Sequence, residues 1–161
     1  MRVLAIDPGN IDSGFVIVDF SEVKVLDKGK VPNDEIFTVI EENKDCILAI
    51  EMIASYGMAV GKSVFDTCVW IGRFYQFAAE KGIKIEFIYR KDEKMTLCHS
   101  MKAKDTNIKQ ALIDIYAPNT ANNGKGTKKE PGFFYGFKAD IWQAMAIAHT
   151  YKEMVEISTQ K

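Results

Sequence analysis

The chain has 161 residues, of which 47% are apolar, and its 21 basic and 22 acidic side chains leave a net charge of −1. That length and apolar share suit one domain with a proper core; no apolar stretch approaches the roughly 20 residues needed to cross a bilayer, so no membrane partner is expected. Three cysteines (Cys46, Cys68, Cys98) without a CxxC, and two histidines (His99, His149) without ligand spacing, argue against a disulfide framework and a structural zinc site, and predict reduced thiols in the cytoplasm.

The N-terminus enters a strand pattern after a single Arg, which predicts no signal peptide. Residues 2–6 (RVLAI) read as a strand and 14–19 (GFVIVD) as its hairpin partner, joined through Asp7-Pro8-Gly9, a run that favours turns. Residues 23–31 alternate as a third strand. Pro32-Asn33-Asp34 breaks that pattern, and a helix is expected over 34–43. The continuous apolar run 46–50 (CILAI) fits a buried central strand, and Glu51 ends it as Asp7 ends the first.

Residues 52–62 read as a loop with an exposed Tyr56. Val64, Cys68, Ile71, Phe74, Tyr75 and Ala78 recur with helical spacing over 63–81, and Gly82 is placed to stop that helix. Residues 83–89 alternate as a strand. A helix is expected over 104–116, with Asp105 or Thr106 as N-cap. Residues 117–137, with four glycines, two prolines and three lysines, read as a mobile basic loop whose aromatics (Phe133, Phe134, Tyr135, Phe137) serve the core or anchor the loop. A final Ala- and Met-rich helix runs over 138–155. The order describes a mixed α/β sheet flanked by helices, without internal repeats.

Charge is unevenly spread. Residues 1–80 carry a net −6 and residues 81–138 a net +6, the asymmetry of a chain with a basic face. Asp7 and Glu51 both end apolar strands, and Asp140 opens the last helix. Adjacent strands lie about 4.8 Å apart, so if the first and fourth strands are neighbours their acids meet at one end of the sheet. Carboxylates that close repel unless a cation lies between them, and hard oxygen ligands suit Mg²⁺ or Mn²⁺. Taken singly, each acid also has a structural explanation: a turn residue, a strand-end charge, an acid at a helix start.

These strings resemble a known family. "AIDPGNIDSG", "LAIEMIASYG" and "KADIWQAMAIAHTY" are similar, in order and spacing, to the first acidic strand, the second acidic strand and the C-terminal helix of RuvC-type Holliday-junction resolvases, within the RNase H-like superfamily. The whole chain most resembles the RuvC-like endonucleases of phages. The resemblance implies one nuclease domain over 1–161, an RNase H-like mixed five-stranded sheet with three antiparallel strands first and parallel strands after, and a homodimer in the cytoplasm of a bacterial or phage-infected cell.

It also implies an endonuclease that nicks branched DNA, leaving 5′-phosphate and 3′-hydroxyl ends. Two Mg²⁺ ions per site, replaceable by Mn²⁺, would be held by Asp7, Glu51 and Asp140. One departure stands out: Gln143 falls where the family has a second acid one helical turn after Asp140, which makes it at most a weak or water-mediated ligand. Asp66 and Asp105 are the spare acids. Arg90, Lys91, Lys102, Lys104, Lys109, Lys125, Lys128 and Lys129 are candidates for phosphate contacts, though any single lysine serves equally well as a solubilising charge. Tyr56 and Met58 are placed to wedge into unstacked bases or to pack on a partner subunit. Trp70, Phe74 and Phe77 mark the helix over 63–81 as the expected dimer face, two copies matching a near two-fold junction.

Two rival readings share these features. A non-catalytic branched-DNA-binding relative would explain Gln143 as decay of the site. A fragment of an actin-like ATPase would explain the Asp-x-Gly hairpin, but its duplicated halves are missing.

Overall fold

The computed structural model describes residues 1–160. Five strands form one sheet: β1 (Arg2–Asp7), β2 (Asp12–Asp19), β3 (Lys24–Pro32), β4 (Ile47–Met52) and β5 (Ile85–Tyr89). Their order is β3-β2-β1-β4-β5. β1–β2 and β2–β3 are antiparallel, whereas β1–β4 and β4–β5 are parallel. This is the mixed sheet expected from the sequence, with β1 at its centre and β4 beside it.

Alternation along the strands sorts two cores. Leu4, Ile6, Leu48 and Ile50 point to one face, where α1 (Asn33–Glu42) and α2 (Lys62–Glu80) cover them through Ile36, Ile40, Ile71 and Phe74. Val3, Ala5, Val16, Val18 and Ala49 point to the other, beneath α5 (Ala139–Thr159). Small residues on both sides, Ala5 and Ala49 below and Ala144, Ala146 and Ala148 above, let α5 lie close on the sheet; all five are fully buried. Two further helices, α3 (Arg90–Cys98) and α4 (Asp105–Tyr116), complete that layer.

Three local expectations are corrected. The segment after β5 is helical: α3, unforeseen in the sequence, starts at Arg90 directly behind the strand. Neither Asp105 nor Thr106 caps α4; Lys104 holds the N-cap position, and the Asn107 side chain accepts its backbone N–H at 2.9 Å. The basic segment 117–137 is pinned by its aromatics. Phe134 is fully buried and stacks on Trp142 with ring centres 4.5 Å apart, while Phe133 stacks on Tyr116 at 4.8 Å. The role expected of Phe133, Phe134 and Phe137 as core and anchoring residues matches this packing, whereas Tyr135 stays exposed.

On α2, Phe74 is wholly internal and so is not available to the expected dimer face, whereas Trp70 and Phe77 are half-buried and pack with Phe37. Phe65 and Val69 are the strongly exposed apolar side chains of that helix. Among the described residues no helix is long and apolar enough to cross a membrane.

Candidate active site

The parity that builds the cores also builds the site. Asp7 lies two residues beyond Ala5 and Glu51 two beyond Ala49, so both carboxylates emerge on the α5 face. Because β1 and β4 run parallel with Ile6 opposite Ile50, the next residues, Asp7 and Glu51, end up side by side. Their carboxyl groups are close enough to share a proton. Burial, then Glu51, pushes the Asp7 pKa up to about 8. Burial likewise raises that of Glu51. Two acids are thus held where neither ionises easily alone, the situation a cation relieves.

The hairpin that presents Asp7 is tightly tied. The Ser13 hydroxyl donates to Asn33 Oδ1 (2.5 Å), the Asn33 amide donates to the Gly9 carbonyl (2.8 Å), and the Gly9 N–H donates to Ser13 Oγ (3.2 Å). Asn33 is buried for this purpose, a role its place in a Pro-Asn-Asp turn conceals. Gly9 is required by space, since a Cβ there would lie 2.2 Å from the Asp12 carbonyl oxygen.

Gly14 brings in the third acid. It sits opposite Asp7 in the β1–β2 ladder, and a Cβ at Gly14 would come within 2.7 Å of the Asp140 Cβ. The start of α5 therefore rests directly on the sheet beside Asp7. Asp140 is half-exposed and ion-paired to Lys30 Nζ at 2.6 Å. Asp7, Asp140 and Lys30 line a common cleft of about 390 Å³ with the hairpin residues Pro8 to Asp12.

On the far side of the pair lies a second polar group, built around Arg90. Its guanidinium donates to Glu93 Oε2 at 2.5 Å, and also to Gln143 Oε1 and Asp105 Oδ1. Glu93 has no solvent exposure, and its other oxygen, Oε1, has no partner among the described residues. Burial, reinforced by Glu51, pushes its pKa up to about 8. Sequence reading missed this acid, because RKDEKMTLC looks like a solvated surface run; the one usable signal is its i, i+3 spacing from Arg90.

The remaining candidates divide by position. Arg90 belongs to the acid cluster, and Gln143 spends its carbonyl oxygen on Arg90. Asp105 also joins this group, whereas Asp66 pairs with Lys62 on exposed α2 at 2.5 Å. Lys109, lying over the Trp142 ring at 4.9 Å, and Lys125 share a cavity of about 530 Å³ with Lys138, Asp140 and Gln143. Lys128 and Lys129 stand exposed at the tip of that segment, as do Lys91, Lys102 and Lys104 on the α3–α4 side. Tyr56 and Met58 are strongly exposed on the loop after β4, 64% and 73% accessible, so no packing within this chain explains them.

The donor set fits a divalent cation at one point. Asp7 and Glu51 offer converging hard oxygens, with the Arg90 charge acting on Glu51 and the Lys30 charge reaching Asp7, and Asp140 is adjacent on a salt bridge that solvent weakens. As the side chains stand, no three acids or histidines among the described residues converge closely enough to enclose an ion, Asp140 being turned onto Lys30.

No protein-family model matches the sequence, and neither does any curated protein. Solved structures do. RuvC of Thermus thermophilus aligns over 99% of this chain and 98% of its own, at 17% identity and a TM-score of 0.70. The same protein in complex with a Holliday junction substrate aligns over 99% and 97%, at 17% identity and 0.71. The likeness runs along nearly the whole of both chains, and the chain has the fold of these RuvC structures.

Proposed function

We propose that this protein is a metal-dependent endodeoxyribonuclease that nicks branched DNA and leaves 5′-phosphate and 3′-hydroxyl ends. The observation that carries the reading is the Asp7–Glu51 pair. A fold that buries two touching carboxyls at the ends of its central strands, with a third acid seated beside them on Gly14, holds a costly arrangement that serves cation binding. The RuvC-type fold supports the reading at the level of architecture, and one of its matched structures holds a Holliday junction.

Asp7, Glu51 and Asp140 would hold Mg²⁺, or Mn²⁺ in its place. When bound, such an ion would supply Lewis acidity for activating water and for stabilising the leaving 3′-oxygen. The rest falls to this chain. Lys109, Lys125 and Lys138 line the wall beside Asp140 and would bind flanking phosphates. Arg90, held in place by three acceptors, fixes the positive side of the cleft. Tyr56 borders the Glu51 side, and it and Met58, exposed on the same loop, would meet bases unstacked at the branch. A two-fold junction calls for two such sites, hence a homodimer, and exposed Phe65 and Val69 on α2 supply apolar surface for it.

A non-catalytic branched-DNA binder is the second reading, favoured by the Lys30–Asp140 pair and by Gln143 in place of an acid. End-labelled four-way junctions and plain duplexes incubated with Mg²⁺ or EDTA separate the two. The nuclease reading expects Mg²⁺-dependent nicks near the branch that DNA ligase reseals. Junction binding without any nick in Mg²⁺ or Mn²⁺ would establish the binder instead.

A further inference from the structure

Resting on the reading of this cleft as a cation-assisted nuclease site, we infer that Arg90 is a built-in counter-cation occupying the place of a second metal ion, so that each site takes a single divalent ion between Asp7, Glu51 and Asp140. The two ions expected from the family resemblance need a ligand at position 143. The structure puts something else there.

Gln143 lies one helical turn after Asp140, on the side of α5 that faces the cleft. Its amide has one acceptor atom, the carbonyl oxygen, and one of that atom's two lone pairs already takes a hydrogen bond from Arg90. The same guanidinium reaches Glu93 on α3 and Asp105 on α4, so three helices supply its acceptors. An ion on the remaining lone pair of Gln143 would sit directly against a fixed positive charge, which opposes its binding.

Glu93 makes the substitution coherent. It is wholly buried, with one oxygen on Arg90 and the other without a partner. Its charge is felt by Asp7, and it feels that of Glu51 in turn. The carboxylate that α5 lacks at position 143 is thus matched by one from α3, delivered with its own cation attached three residues earlier. On the Lys30 side the pairing differs: Lys30 and Asp140 are 54% and 34% exposed, so that contact opens readily for a mobile ion. Arg90 is anchored and remains. The cleft therefore has one open cation position, at the Asp7–Glu51 pair, and one filled by protein.

Counting bound Mn²⁺ per chain, from loss of the free-ion electron paramagnetic resonance signal, tests this on the intact protein without DNA. Wild-type protein should saturate at one ion. Gln143→Asp should also saturate at one, because Arg90 captures the new carboxylate. Two ions in the wild type, or a second ion gained by Gln143→Asp, would overturn the inference and leave the nuclease reading standing. No ion in the wild type would overturn the cation site and that reading with it. The wild-type count decides alone if the variant fails to fold.

Discussion

Replacing Asp7 by Asn removes one of two carboxyls that the fold forces together, and its effect on stability follows from the site. Burial, and then Glu51, sets the Asp7 pKa at about 8 instead of the usual 3.8. Ionising a carboxyl displaced that far costs up to roughly 6 kcal/mol, at about 1.36 kcal/mol per pH unit. The folded value lies above the unfolded one, so the native state keeps the proton longer. The Asp7 contribution to the stability of metal-free wild-type protein is therefore fully present below about pH 4, is lost as pH climbs toward about 8, and stays lost above it.

Asn cannot ionise and escapes that loss. Thermal unfolding in EDTA, followed by circular dichroism, should show Asp7→Asn close to wild type near about pH 4.5 and clearly more stable near about pH 9. A domain of this size gains about 2–4 °C per kcal/mol, so even half the full effect reads as a Tm difference of about 6–12 °C. Millimolar Mg²⁺ should raise the wild-type Tm at the higher pH and leave the variant unmoved. A difference independent of pH, or a variant less stable than wild type at about pH 9, would refute the view of Asp7 as a buried, cation-seeking acid.

Three further outcomes follow from the same geometry. Gly14→Ala places a methyl 2.7 Å from the Asp140 Cβ and 2.8 Å from the Asp140 carbonyl oxygen; it should cost about 1–3 kcal/mol in urea unfolding, with nicking lost at denaturant concentrations where the variant is still folded. Lys30→Met frees Asp140 from its competitor and should lower the Mg²⁺ concentration for half-maximal nicking by roughly two- to fivefold, with little change in Tm, because an exposed pair contributes under about 1 kcal/mol. Neutralising Lys125, Lys128 and Lys129 together should weaken junction binding and reduce the slope of log affinity against log salt by up to about three; an unchanged slope would mean that this segment does not touch phosphate.

Much of the fold was legible because strand burial writes itself into sequence. Apolar runs that stop on Asp7 and Glu51 mark both the central strands and the end of the sheet where chemistry gathers. The Ala-rich stretch after Asp140 announces a helix packed close on that sheet. What stayed hidden was tertiary. Arg90 and Glu93 sit in a run of charges that reads as surface, and only the packing of α3 between β5 and α5 buries the acid. Gln143 was legible as a departure, but its Arg90 partner lies 53 positions away in the chain. Asn33 likewise acts across 24 residues, on Gly9, to lock a hairpin whose own sequence looks sufficient. The basic segment 117–137 has a loop composition, yet Phe134 inserted against Trp142 fixes it to the core.

The central claim is that the Asp7–Glu51 pair is a cation site serving DNA cleavage. The most direct measurement is the anomalous diffraction of crystals grown with Mn²⁺. A peak about 2.0–2.3 Å from oxygens of both carboxylates, with Asp140 swung off Lys30 toward it, is the predicted result. Strong Mn²⁺ peaks elsewhere on the protein, with none between Asp7 and Glu51 and the Lys30–Asp140 pair intact, would contradict it.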